Sequence, residues 1–221
     1  MYLQSHRHQQ LNIIICKKNY IVIEKGNEVL DNVNITYKNE VEEIPLEVVT
    51  VTASNAYSTI ASLSGRVKVV VEGSCSSSDI TEIGEALRNN PDARIILDLS
   101  GTNGLTEIPS YEFEGYSLVE IILPNSISSI PEYCFAGCWN FKSITIPASV
   151  TDIKGLAFIS CPNLRYIIVE GNNYVVENGA IYTSDKTKLI AYPSASGNIT
   201  IDNTVNTIFA GAFRGSKITS I

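Results

Sequence analysis

The sequence predicts an α/β repeat protein: a β-rich solenoid of about five units behind an N-terminal α/β cap, with one β-hairpin insertion. Three observations predict it. A 23-residue unit is written twice between Ile121 and Tyr166, so that Ile121, Leu123 and Pro124 return as Ile144, Ile146 and Pro147, and Phe135, Cys138 and Phe141 as Phe158, Cys161 and Leu164. Before the repeats, strand-like and helix-like segments alternate. Within them, one step is 32 residues long, from Ile167 to Ile199, and the surplus reads as a hairpin.

The N-terminal stretch, residues 1–46, is a polar tail followed by a small hairpin region. Ile13 to Ile15 and Ile21 to Ile23 are β-like, Lys25-Gly26-Asn27 is a turn, and Val33, Ile35 and Tyr37 alternate. The acidic residues Glu40, Glu42, Glu43 and Glu47 around Pro45 read as a solvated linker, since no spacing among them suits a cation.

Residues 47–93 form the predicted cap. Val48 to Thr52 is a strand, and Ser54 opens a helix that Gly65 stops. Val67 to Val71 is a second strand. Ser78 or Asp79 then caps a helix with Ile80, Ile83 and Leu87 on one face, ended by Asn89-Asn90-Pro91. Such a unit covers the end of a solenoid core that would otherwise face water.

Residues 94–221 hold the repeats, with strands beginning near Ile95, Ile121, Ile144, Ile167 and Ile199. In each unit the first strand buries residues equivalent to Leu164, Ile167 and Val169, and a second strand those equivalent to Val150 and Ile153. The insertion places Ile181 and Tyr182 against Leu189 to Tyr192 across Ser184-Asp185-Lys186, where Asp185 bonds the turn backbone. The final unit reaches Ile221 without a polar cap, so either further repeats follow in the natural protein, the favoured expectation, or the exposed end pairs with another molecule.

The consensus Ile-x-Leu/Ile-Pro-x-Ser-Ile/Val-x-x-Ile, followed by aromatic-x-x-Cys-x-Asn-aromatic/Leu, resembles the BspA-like leucine-rich repeat family over roughly Arg94 to Ile221. The motif of the insertion, in Gly179, Ile181, Tyr182, Asp185, Leu189, Ile190, Tyr192 and Pro193, resembles the same family. The resemblance implies a leucine-rich-repeat-type curved solenoid on extracellular proteins of host-associated bacteria and some protists, where it supports adhesion to host matrix proteins or other cells.

Composition narrows the chemistry. A net charge of −7 is shared by both halves, so neither offers the basic footprint of a nucleic-acid or anionic-membrane binder. No apolar run approaches the roughly 18 to 20 residues of a membrane helix. The short apolar stretch before Cys16 is a poor lipoprotein signal. The two histidines, His6 and His8, sit in the polar tail; none follows to serve as a general base or metal ligand. Gly73 to Ser78 lacks a phosphate-loop pattern and reads as a flexible turn. Cys134, Cys138 and Cys161 fall at core positions, where reduced thiols act as small hydrophobes. No catalytic residue, metal or cofactor is therefore assigned.

The candidate binding surface is the outward side of the first strands, where non-core residues align in columns. One holds Val119, Lys142 and Arg165; a second Glu120, Ser143 and Tyr166; a third Ile122, Thr145, Ile168 and Thr200. Extended solenoid sheets with Tyr, Arg and exposed Ile suit a protein partner. The expected function is a non-enzymatic, extracellular, adhesin-type domain binding matrix or plasma glycoproteins. The alternatives are a structural spacer of a larger surface protein, or an intracellular interaction scaffold compatible with free thiols.

Overall fold

The computed structural model describes the backbone of residues 12–16, 20–25 and 28–29, and residues 46–221 apart from Tyr116. It divides into two units, Met1–Ile44 and Pro45–Ile221. In the first, β1 (Asn12–Cys16), β2 (Tyr20–Lys25) and β3 (Glu28–Val29) form an antiparallel sheet in the order β1-β2-β3, with Asn12 opposite Glu24 and Cys16 opposite Tyr20. The strands expected around Val33 to Tyr37, the two histidines and the acidic run Glu40, Glu42 and Glu43 lie outside the described residues.

The second unit opens with β4 (Glu47–Thr52), α1 (Ala53–Ser62), β5 (Gly65–Ser74), α2 (Ser77–Asn89) and β6 (Ala93–Asn103). Each strand is apolar on one side: Val67, Val69 and Val71 of β5, and Ile95, Leu97 and Leu99 of β6, are buried. These strands join the repeats directly. β7 (Leu118–Ile122), β9 (Ser143–Ile146) and β11 (Tyr166–Val169) continue a six-stranded parallel sheet in the order β11-β9-β7-β6-β5-β4. On the other side of each repeat, β8 (Ser129–Ile130) and β10 (Asp152–Ile153) pair in parallel, Ile130 opposite Ile153. One core runs from Val51 through Ile144 to Ala191.

Both helix starts lie earlier than the sequence suggested. α1 is capped by Thr52 rather than Ser54, its backbone N–H donating to Asn55 Oδ1 at 3.0 Å. α2 is capped by Ser76, with Asp79 three residues into the helix as the reciprocal partner of a capping box: Asp79 Oδ2 accepts from the Ser76 N–H at 2.7 Å. The Gly73 to Ser78 stretch is thus not a loose turn, because it ends β5 and begins α2. Gly65 opens β5, and the last carbonyls of α1 are satisfied by buried Asn90, whose Nδ2 donates to Ile60 O at 2.7 Å and Leu63 O at 2.8 Å.

The turns between repeats are built on a ladder of matched residues. Phe113, Phe135 and Phe158 stack at 5.4 Å centroid spacing. Two residues before each phenylalanine stands a left-handed residue, Tyr111, Tyr133 and Leu156 with φ of 64°, 60° and 66°, answered by Gly211 before Phe213. Thiols stitch neighbouring units: Cys138 Sγ donates to Phe113 O and Cys161 Sγ to Phe135 O. Cys75, Cys134, Cys138 and Cys161 are free and buried.

Beyond β11, β12 (Tyr174–Glu177), β13 (Ala180–Thr183) and β14 (Lys188–Ala191) form two successive hairpins. β15 (Ser196–Asn198) pairs in parallel with β17 (Lys217–Ser220), and β16 (Thr207–Ile208) with β14. Residues 199–201 lie in no strand, contrary to the strand expected at Ile199.

Candidate functional site

The outward columns of the first sheet are assembled by register. Glu120, Ser143 and Tyr166 are direct cross-strand partners, and so are Ile122, Thr145 and Ile168. Ile121, Ile144 and Ile167 alternate with them and are buried, which fixes the outward orientation of the columns. The surface is most open at β11, where Tyr166 is 68% and Ile168 55% exposed. The columns extend into the strands before the repeats: Ile96 stands opposite Glu120, and Asp98 opposite Ile122. Asp98 is held there by Lys68 at 2.8 Å and by Ser100, whose hydrogen bonds outweigh burial and lower its pKa.

Two predicted members fall outside this arrangement. Val119 is only 8% exposed. It occupies a β-bulge, since Ile95 pairs with Leu118 and Ile96 with Glu120, leaving Val119 without a partner on β6. Its column nevertheless survives in the backbone, where Lys142 N–H donates to Val119 O at 2.8 Å and Arg165 N–H to Lys142 O at 3.1 Å; Lys142 and Arg165 are exposed. Thr200 belongs to no strand of the sheet. The chain there enters a turn in which Asp202 Oδ1 accepts from the Thr204 N–H at 2.9 Å.

Thr200 instead lines a cleft of about 500 Å³ with Tyr182, Tyr192, Glu177 and Asp202. Its acids are engaged locally, Glu177 by Lys186 and Asp202 by Thr204. In the neighbouring turn, Asp185 Oδ1 accepts from the Thr183 hydroxyl at 2.6 Å and the Thr187 N–H at 3.0 Å, which hold its pKa down to about 2. Among the described residues, no group of three or more His, Cys, Asp or Glu is placed to hold a metal. Cys75, in the serine-rich stretch, is buried and its thiol is pushed up to about 11, the opposite of an activated nucleophile.

Sequence reasoning passed over two residues on the same edge of the sheet. Arg66 and Arg94 are direct cross-strand partners, each the second residue of its strand. With Val119, Asn140 and Lys142 they line a groove of about 330 Å³. The available signal was a basic residue at or just before the start of four strands of this sheet, Arg66, Arg94, Lys142 and Arg165, with β7 between them starting at Leu118-Val119; composition summed over each half concealed it.

A profile of the BspA type leucine rich repeat region matches residues 95–197 in 6 copies. No curated protein matches the chain. Among solved structures, a leucine-rich repeat protein from Eubacterium ventriosum is 23% identical with a TM-score of 0.48, covering 78% of this chain and 56% of its own. The pneumococcal vaccine antigen PcpA is 14% identical with a TM-score of 0.45, covering 93% and 61%. A leucine rich cell surface protein from Faecalibacterium prausnitzii is 16% identical with a TM-score of 0.37, covering 96% and 74%. The chain thus spans less than two thirds of the first two of these structures.

Proposed function

We propose that the chain, whose residues 95–197 match the BspA type leucine rich repeat region, is a non-enzymatic protein-binding domain of the adhesin type, acting outside the cell. The observation that carries this reading is the open end of the first sheet. Tyr166 and Ile168 stand exposed on one strand beside exposed Arg165, an arrangement of anchoring residue types on a hydrogen-bonded sheet. In the same reading, residues 1–46 are a separate N-terminal region, 47–93 cap the repeats and 94–221 are the repeat array with its hairpin insertion. The partner is a protein such as a matrix or plasma glycoprotein, laid along the first sheet.

The test is binding of the purified chain to a panel of matrix and plasma glycoproteins, against a variant carrying Arg165→Glu, Tyr166→Ala and Ile168→Asp. All three side chains are exposed, so the variant is expected to unfold at the same temperature. Saturable binding that falls at least about tenfold in the variant, a loss of roughly 1.4 kcal/mol, supports the reading. Binding unchanged in the variant rejects the first sheet as the site.

A further inference from the structure

The N-terminal edge of the parallel sheet carries a row of cations that are not neutralised among the described residues. Arg66 and Arg94 face each other across β5 and β6, and Lys142 and Arg165 precede β9 and β11. Lys142 lines the same groove as the two arginines, and Arg165 is joined to Lys142 through its backbone. Among the described residues none of the four makes an ion pair. The ion pairs formed are Lys68 with Asp98, Arg88 with Glu112, Lys154 with Asp152 and Lys186 with Glu177. Like charges directly opposite on neighbouring strands destabilise a sheet, and here they persist in a chain of net charge −7. Arg94 is also held in place, its Nη1 donating to Pro91 O and Ala93 O at 2.7 Å each. A guanidinium fixed through one nitrogen keeps its other donors for a planar carboxylate.

We propose that this edge receives an extended acidic segment of the protein partner, laid across the strands from Arg66 to Arg165. The inference rests on the protein-binding reading above and specifies the chemistry of the partner. Strands about 4.8 Å apart place the ends of the row roughly 19 Å from each other, the reach of about six extended residues. The row ends beside exposed Tyr166 and Ile168, so acidic and apolar side chains of one polypeptide are satisfied together. A nucleic acid would call for a larger basic footprint, and a sulfated glycan would leave Tyr166 and Ile168 unused.

The experiment measures fluorescence anisotropy of a labelled peptide containing about six consecutive glutamates, and of its all-glutamine counterpart, with the full chain. The proteins are wild type, an Arg66→Gln/Lys142→Gln variant and a Lys154→Gln/Lys188→Gln control that loses the same charge elsewhere. The expected result is binding of the glutamate peptide alone, weakened by salt, lost by about tenfold or more in the Arg66/Lys142 variant and retained in the control. Equal binding of both peptides, equal loss in the control, no loss in the Arg66/Lys142 variant, or preferential binding of heparin or duplex DNA overturns the proposal. A glycoprotein that the Arg165/Tyr166/Ile168 variant fails to bind but the Arg66/Lys142 variant binds normally keeps the protein-binding reading and rejects the acidic segment.

Discussion

Glu112 shows how a single buried acid ties the first helices to the repeats. Its carboxylate is buried against α2, close enough to Gly84 that a Cβ there would lie 2.3 Å from Oε1. Thr81 donates to Oε2 at 3.1 Å, but Arg88 stands 3.7 Å from Oε1 and spends its good hydrogen bond, at 2.7 Å, on the Glu112 carbonyl. Burial therefore outweighs the two partners and raises the pKa of Glu112 above its ordinary value of 4.5. A group raised in the folded state contributes stability that is full below the ordinary value and is lost as pH rises through the folded one. Glu112→Gln keeps the Arg88 bond to the carbonyl while removing the buried charge. The variant is expected to be as stable as wild type at pH 7, or more stable by on the order of 1 kcal/mol, and to lose stability less steeply above pH 4.5. Thermal unfolding of both proteins from pH 4 to pH 7 checks this; a variant clearly less stable at pH 7 refutes it.

At the scale of elements, the turns hold stability that composition does not reveal. Gly215 lies two residues after Phe213, as Ser160 lies two after Phe158, and a Cβ on Gly215 would meet Ser160 Cα at 2.5 Å. Gly197 has a comparable left-handed φ, +68° against +89°, with nothing within 4 Å. Gly197→Ala should cost about 1 kcal/mol for its φ alone. Gly215→Ala adds a backbone collision and should cost roughly 1 to 3 kcal/mol more. Urea midpoints of the two variants compare them directly, and equal losses would refute the close stacking of the turns. The left-handed residues Tyr111, Tyr133 and Leu156 were hidden from the sequence because tyrosine and leucine carry no signal for positive φ. The first-strand columns were legible, because a period of two between buried isoleucines dictates which side chains turn outward. Val119 was not, since the bulge beside it comes from pairing with β6. The hairpin at Asn178-Gly179 was legible and passed over: both residues have positive φ, 52° and 84°, the requirement of the two-residue turn that joins β12 to β13. The helix caps were misplaced because several serines offered themselves, and only the reciprocal bonds of Ser76 and Asp79 distinguish the true start of α2.

At the scale of the second unit, the question is whether the strands before the repeats fold with them or apart. Repeat arrays are stabilised mainly between neighbours and can open locally when they are long. Here β4, β5 and β6 share a sheet with β7, β9 and β11, and the buried residues form one core from Val51 to Ala191. A lesion in the repeats should therefore be felt in β5 and α2. Phe135 is the sharpest such lesion, fully buried and stacked on Phe113, Phe141 and Phe158. Phe135→Ala should cost about 3 to 5 kcal/mol. The buried thiols report where that cost is distributed, Cys75 beside α2 and Cys138 within the repeats. In a Cys16→Ser background, labelling of these two thiols along a urea series is expected to share one midpoint, and Phe135→Ala is expected to move both midpoints equally. A Cys75 midpoint that stays put while that of Cys138 falls would divide the unit near β6, leaving the β4 to α2 segment to fold without the repeats.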